Sequence, residues 1–450
     1  MKEKLLAKYS DERLPRYTSY PTAPNFTTEI SPDTHRKWIT GVNPEKPVSL
    51  YFHIPFCRSM CWYCGCHTKV TKRDGPIEFY LQALEQELML IAGLAGKKMP
   101  VGHVHFGGGT PTIIEPQRFL DLFALIRKNF KLDNTTEIAV EIDPRTLTMD
   151  MVSAMAEAGV NRASLGVQSF DLKVQKAINR VQSKKDTAAT VNSLKNAGIH
   201  GINFDLIYGL PKQDIASCIE TAQQAVEMKP DRFSVFGYAH VPEFKRHQKM
   251  ISESDLPDGS ERLAQAEAIA TTLAAAGYRQ IGLDHYALPG DMLSGAQSDG
   301  QLHRNFQGYT TDACQTLIGF GASSISRFEE GYIQNDVSIG SYRRSMSEET
   351  LATTRGYAFL PDDQLRAKII ERLMCDFAVD LKQVCGDFGQ DYRLLIENNA
   401  RLNTLIKDKL AQVENGNLVV KQDARFIIRN VAAAFDAYLG AGGRKFSRAA

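Results

Sequence analysis

The chain has almost no excess charge: 53 lysines and arginines stand against 52 acids over 450 residues, leaving a net +1. That gives no global field to draw in nucleic acid or a membrane surface, so any anionic partner must be met by a few local cations. No run of about 18 apolar residues occurs, which argues against a membrane-spanning helix. The N-terminal stretch MKEKLLAKYSDERLPRY is charged throughout and lacks the apolar core of a secretory signal. The expected location is therefore the cytoplasm, where thiols stay reduced and clustered cysteines read as metal ligands or catalytic groups rather than disulfides. No sequence repeat, low-complexity tract or G-x-G-x-x-G fingerprint is present.

What is present is a rhythm. Six short apolar runs, VSLYFHIP, VGHVHFGGG, TEIAVEIDP, RASLGVQSF, INFDLIYGLP and RFSVFGYAH, alternate with helix-like stretches such as IEFYLQALEQELMLIAGL. The pattern predicts the α/β class with a parallel sheet, either open and doubly wound or a closed or partial barrel, with ligand chemistry at the C-terminal strand ends. The polar and glycine-rich motifs follow those ends and so converge on one rim. Length suggests two or three domains. Residues 1–45, with PRYTSYPTAPNF, show no clear helical or strand period and read as an arm that another surface must order. Residues 46–360 carry the β-α rhythm, and residues 361–450 a helix-like tail whose LAQVENGNLVVK predicts a hairpin at Asn-Gly. That tail is expected to be winged-helix-like and to pack as a lid. Its 14 basic and 12 acidic residues form no DNA-binding patch.

CRSMCWYCGC, residues 57–66, holds four cysteines in ten positions. A structural zinc site draws two ligand pairs from segments a dozen or more residues apart, and no such second pair exists here. Cys57, Cys61 and Cys64 can instead wrap three corners of a [4Fe-4S] cluster, with Cys66 too close in sequence to take the fourth. An open iron makes such a cluster a reagent rather than an electron wire. Zinc remains the alternative, and with it a zinc-stabilised nucleic-acid or interaction protein. Cys66 is read as a catalytic group, a low-pKa thiol beside the cluster, or else as a plain loop residue.

Around this loop stand Gly107, Gly108 and Gly109, whose backbone can approach a ligand, and Glu141, suited to ribose hydroxyls. Gln168, Arg180 and Asp205 could grip a second polar ligand. Singly each is an ordinary strand-end residue; their shared rim argues for function. His53 reads as a structural histidine, and Cys218, Cys314, Cys375 and Cys385 as small core residues. GDFG at 386–389 lacks the companion kinase motifs and carries nothing.

The C-x3-C-x2-C spacing on a loop after a strand resembles that of the radical S-adenosylmethionine superfamily. YFHIPFCRSMCWYCGCHTKV, HFGGGTPT, EIDPR, GVQSF, FDLIYGLP, GLDHYALP and LHRNFQGYTT, with the N-terminal PRYTSYPTAPNF and C-terminal RFIIRNVAAAFDAYL, resemble the oxygen-independent coproporphyrinogen III oxidase (dehydrogenase) family. The resemblance implies a partial (β/α)6 barrel, one [4Fe-4S] cluster and two S-adenosylmethionine molecules, with a mainly helical C-terminal domain over the opening. It assigns Tyr51, Gly107, Glu141 and Ile325 to the cluster-bound molecule, and Tyr63, Gly108, Gly109, Gln168, Arg180, Asp205 and Ala239 to the second. The activity implied is oxidative decarboxylation of two propionates of coproporphyrinogen III to vinyl groups, giving protoporphyrinogen IX by way of a 5′-deoxyadenosyl radical. It needs an electron donor and an electron acceptor that the sequence does not name, and no second chain, so a monomer is expected. A haem-binding or haem-modifying relative is the alternative; such relatives place an aromatic residue where Cys66 stands and lack the arm motif. Arg16 and Arg304 are candidate clamps for the substrate's carboxylates, although each reads more readily as an ordinary surface or structural arginine.

Overall fold

A computed structural model of the chain describes residues 8, 9 and 12–440, so the extreme ends of both terminal regions lie outside the described residues. Within the arm it shows a helix that the absence of a visible period had hidden. Ser31 accepts a hydrogen bond from the Thr34 amide and Pro32 takes the first helical position, starting α1 (Pro32–Gly41). Its few apolar side chains, Trp38 and Ile39, are buried beside His35.

Each of the six apolar runs is a strand: β1 (Val48–Ile54), β2 (Val101–Gly108), β3 (Glu137–Ile142), β4 (Arg162–Gln168), β5 (Gly201–Tyr208) and β6 (Arg232–Gly237). They pair in that order, all parallel. Helical crossovers make this possible, among them α2 (Gly75–Ala95) and α3 (Pro116–Asn129). The expected partial barrel is therefore present, and it is larger than six strands. A seventh parallel strand, β7 (Thr316–Phe320), lies outside β1, followed by antiparallel β8 (Ile325–Arg327), β9 (Gly331–Asn335) and β10 (Thr353–Ala358). On the far side of β6 lie His285–Ala287 and Arg279–Ile281, so the twelve-stranded sheet never closes. Glu87 of α2 pins the β7 end: its carboxylate accepts from Gly321 N (2.6 Å), Asn335 Nδ2 (2.6 Å) and Tyr342 Oη (2.7 Å).

The alternation along these strands decides where chemistry can occur. Leu50, Phe52, Val104, Phe106, Val140, Leu165, Phe204 and Phe233 are buried on one face, against the helices. The intervening residues, Ser49, Tyr51 and His53 on β1, His103 and His105 on β2, Glu137 and Glu141 on β3, Ser164 on β4, Asn203 and Asp205 on β5, line the cavity. A closed barrel fills its interior with branched apolar side chains. Here the interior is polar, so it forms a reaction chamber rather than a core.

The arm and the C-terminal region share a second core. Tyr9, Leu14, Tyr17 and Tyr20 pack with Leu365, Leu373, Leu402, Leu418 and Phe435. The predicted hairpin is present, Ala411–Glu414 against Asn417–Val420, with Asn415 and Gly416 at φ 53° and 87° as its turn. Ala378–Asp380 completes a three-stranded sheet beside helices, a winged-helix-like arrangement.

Candidate active site

The cysteine loop leaves β1 at Phe56–Cys57, which pairs with Lys69–Val70. Cys57, Cys61, Cys64 and Cys66 all face one cavity of about 990 Å³. Two of the three proposed ligands already accept hydrogen bonds. Thr68 and Thr110 hydroxyls donate to Cys57 Sγ, both at 3.4 Å. Arg145 and Arg180 guanidinium groups donate to Cys61 Sγ at 3.5 and 3.6 Å. Donors of this kind favour thiolates, the form in which sulfur ligates iron. Burial still pushes the Cys57 thiol up against its two hydroxyl donors. Three thiols on one cavity wall, two of them already accepting hydrogen bonds, fit a thiolate-bound cluster.

Cys66 faces the same cavity. Its coupling to Cys64 holds its thiol well above the ordinary value rather than at the low value expected, while Cys64 is drawn down to about 7.

Opposite the loop, Glu141 receives the Gly108 amide (3.1 Å) and His105 Nε2 (3.1 Å). Against the opposing effect of burial, these partners and His105's charge hold its pKa below the ordinary carboxylate range. Tyr51 donates to His53 Nδ1 at 3.0 Å and stacks on His105. Gly108 has φ 112°, and a Cβ there would stand 2.7 Å from His53 Cε1. His53 is thus both structural, with Nε2 2.9 Å from the His67 carbonyl oxygen, and part of the wall. Gly109 and Ile325 also line the cavity, whereas Gly107 lies behind it, against Glu141 and Tyr51.

Gln168, Arg180 and Asp205 converge on the neighbouring wall with Tyr63 and Ala239. Gln168 takes φ 68°, a strained conformation for a side-chain-bearing residue, and its buried Oε1 has no partner. Arg180 donates to the Gly166 carbonyl (2.6 Å) and to both oxygens of Asp143 (3.3 Å each), yet its Nε is buried and unpartnered. Buried polar atoms rarely stay unsatisfied. Two on one wall mark a place for a polar ligand.

Asp205 is raised from 3.8 to about 7, chiefly by burial and then by the charge on Glu141, against the hydrogen bonds of Asn203 and Ser164. Because the folded value exceeds the unfolded one, the protonated acid stabilises the fold: that contribution is complete below about pH 4 and is lost as pH rises through about 7. Melting temperatures scanned over this range should fall less steeply for Asp205→Asn than for the unaltered chain; parallel curves would refute the assignment.

At the far end stand residues that sequence reasoning undervalued. Arg304 is buried, stacks on Tyr309 at 4.4 Å and lies 3.5 Å from Asp284 Oδ1. Arg16, on the arm, donates to the Gly237 carbonyl at 2.9 Å. Both line the cavity: Arg304 is held there by Asp284 and Tyr309, as a structural arginine would be, and Arg16 is exposed. Asp284 opposes its own burial through Arg304, His285 and Arg16, which hold its carboxyl far below the usual range. Asp143, a strand-end residue expected on the rim, is joined at 2.6 Å to Arg145, whose part in the site the sequence reading did not include. Its signal was the ion pair that a strand-end Asp makes two residues on.

Residues 51–225 match the family model described as the radical SAM superfamily. The chain is 53% identical over 449 residues to the oxygen-independent coproporphyrinogen III oxidase of Bradyrhizobium diazoefficiens, covering 100% of both chains. It belongs to the oxygen-independent coproporphyrinogen III oxidase family. The member from Salmonella typhimurium is 39% identical, covering 97% of this chain and 95% of the relative. The solved coproporphyrinogen III oxidase of Escherichia coli, described as a radical SAM enzyme, superposes with a TM-score of 0.90 at 37% identity, covering 95% of this chain and all of that one. Family membership accounts for a rim built from one cysteine loop and five further strand ends.

Proposed function

We propose that the chain is a radical S-adenosylmethionine oxidoreductase that converts two propionates of coproporphyrinogen III to vinyl groups, yielding protoporphyrinogen IX in the cytoplasm as a monomer. The observation that carries the reading is a single polar chamber lined both by three clustered thiols and by the Arg16–Arg304 pair. Cys57, Cys61 and Cys64 would hold one [4Fe-4S] cluster. Tyr51, Gly107, Glu141 and Ile325 would seat one S-adenosylmethionine and Tyr63, Gly108, Gly109, Gln168, Arg180, Asp205 and Ala239 a second. When bound, the cluster and cofactor supply a 5′-deoxyadenosyl radical.

The chain's own residues do the rest. Glu141 offers acceptors for hydroxyl groups, and the Gln168 Oε1 and Arg180 Nε left unpartnered become satisfied. The arm, whose Leu14, Pro15, Arg16 and Thr18 line the chamber and which packs on the C-terminal region, would help exclude water that quenches a radical. Each propionate loses one β-hydrogen atom, one CO2 and one electron, leaving a carbon-carbon double bond; the electron passes to an acceptor, and a separate donor starts each cycle. Cys66, in the chamber wall, is proposed as the catalytic thiol beside the reacting group.

Anaerobic incubation of the reconstituted protein with dithionite, S-adenosylmethionine and coproporphyrinogen III should yield 5′-deoxyadenosine and the divinyl product together. Absence of the divinyl product from protein carrying a full cluster would refute the reading. Arg16→Ala and Arg304→Ala should each raise KM for the porphyrinogen by about tenfold or more, since each removes a charge-assisted carboxylate contact. Cofactor cleavage should persist in both; unchanged substrate affinity would remove these arginines from the clamp.

A further inference from the structure

The cysteine loop makes few backbone hydrogen bonds of its own, so its carbonyls must find partners elsewhere. Three of them find one source. The connection from β6 to the next helix, α4 (Gly259–Ala275), contains a short turn at Arg246–Met250 that folds back across the loop. Lys245 Nζ donates to the Cys66 carbonyl (3.0 Å), and His247 Nε2 meets the Cys64 carbonyl (2.7 Å). Gln248 Nε2 donates to the Tyr63 carbonyl (3.1 Å) and also to that of Ala239 (3.2 Å). Gln248 is 0% exposed, and its Oε1 accepts from the Val241 amide at 2.6 Å. One buried amide therefore ties the cysteine loop to the segment after β6.

We infer that Lys245–Gln248 is a positioning clamp: Gln248 sets the spacing between the cluster loop and the second cofactor position, and the Lys245 charge tunes the cluster's potential. This rests on the two-cofactor reading above, in which Tyr63 and Ala239 are the residues Gln248 joins. Gln248 touches neither substrate nor cofactor. It ties the carbonyls of Tyr63 and Ala239, both assigned to the second S-adenosylmethionine, to one amide, so losing it lets that wall spread. Lys245 is half-buried. Its ammonium, directed at the loop backbone, stabilises the extra negative charge of a reduced cluster, and potentials of such clusters follow local charge and hydrogen bonding.

The test uses anaerobically reconstituted holoenzyme. Gln248→Met keeps the length and removes both donors. It should retain its iron, yet raise KM for S-adenosylmethionine about fivefold or more and increase the 5′-deoxyadenosine formed per vinyl group, as expected when positioning rather than ligation is lost. Lys245→Met should move the cluster's midpoint potential to a more negative value, with Lys245→Arg restoring it. Unaltered KM and product ratio in Gln248→Met, with an unaltered potential in Lys245→Met, would overturn the clamp. A wild-type holoenzyme that cleaves cofactor without making divinyl product would sink the proposed reaction instead, and the potential of Lys245→Met would still decide the clamp.

Discussion

Cys61→Ser is expected to leave the protein without a stable cluster and to reduce product formation at least about a thousandfold, equivalent to roughly 4 kcal/mol of barrier or more. A serine hydroxyl stays protonated at neutral pH and offers a hard oxygen where iron-sulfur chemistry requires a soft thiolate. The loss should be greater than at the other two ligands, because Cys61 is the buried one, 8% exposed, and the point on which two guanidinium groups converge. Removing its thiolate leaves those cations without an anion that the cluster-bound form supplies. Iron content per chain and the visible charge-transfer band measure the effect directly. Cys66→Ser makes the contrast. It should keep its iron and lose the divinyl product, since Cys66 lines the chamber but is not among the three residues proposed to hold the cluster. Loss of the cluster from Cys66→Ser would dissolve the distinction between the four cysteines.

The parts of this site that could be read from sequence were those fixed by short-range spacing. Three cysteines within one loop and six apolar runs ending in polar or glycine residues are local patterns, and the strands and the rim follow from them. What stayed hidden depends on pairings distant in sequence. β7 is only five residues long and joins the sheet beside β1 across more than 250 residues of chain, with no helix immediately before it to announce a crossover. Arg16 and Arg304 reach one chamber from positions 288 residues apart, and nothing near either indicates the other. α1 was lost because its buried face consists of His35, Trp38 and Ile39, too few apolar positions to show a period. The polar interior is legible in the strands: V-S-L-Y-F-H-I and, after a bulge at Gly102, H-V-H-F alternate with a period of two, placing histidines and tyrosine on the face opposite the phenylalanines. The direction of the Cys66 shift could not be read, because which thiol of a close pair donates depends on their geometry.

Arg180→Ala should be the most damaging substitution outside the cysteine loop, lowering kcat/KM by about a hundredfold or more through two losses at once. The side chain is 7% exposed and its ion pair with Asp143 is buried, at 3.3 Å. Truncation leaves Asp143 to Arg145 alone and strips the Gly166 carbonyl of its 2.6 Å donor. Gly166 matters here because a Cβ at that position would stand 2.9 Å from Gln168 Nε2 and 3.0 Å from Arg180 Nη2. Arg180 and the strained Gln168 are thus packed over one bare strand position, and losing the first should free the second. Breaking a buried pair costs about 3–5 kcal/mol in stability, so the melting temperature should fall alongside activity. Arg180→Lys separates the two losses. A lysine restores charge beside Asp143 but cannot reproduce a planar fork reaching a carbonyl, a carboxylate and a sulfur together. It should recover much of the thermal stability while S-adenosylmethionine affinity stays low. Full recovery of affinity by lysine would mean that Arg180 contributes charge alone, and the unpartnered Nε in the wall would then have no part in holding the cofactor.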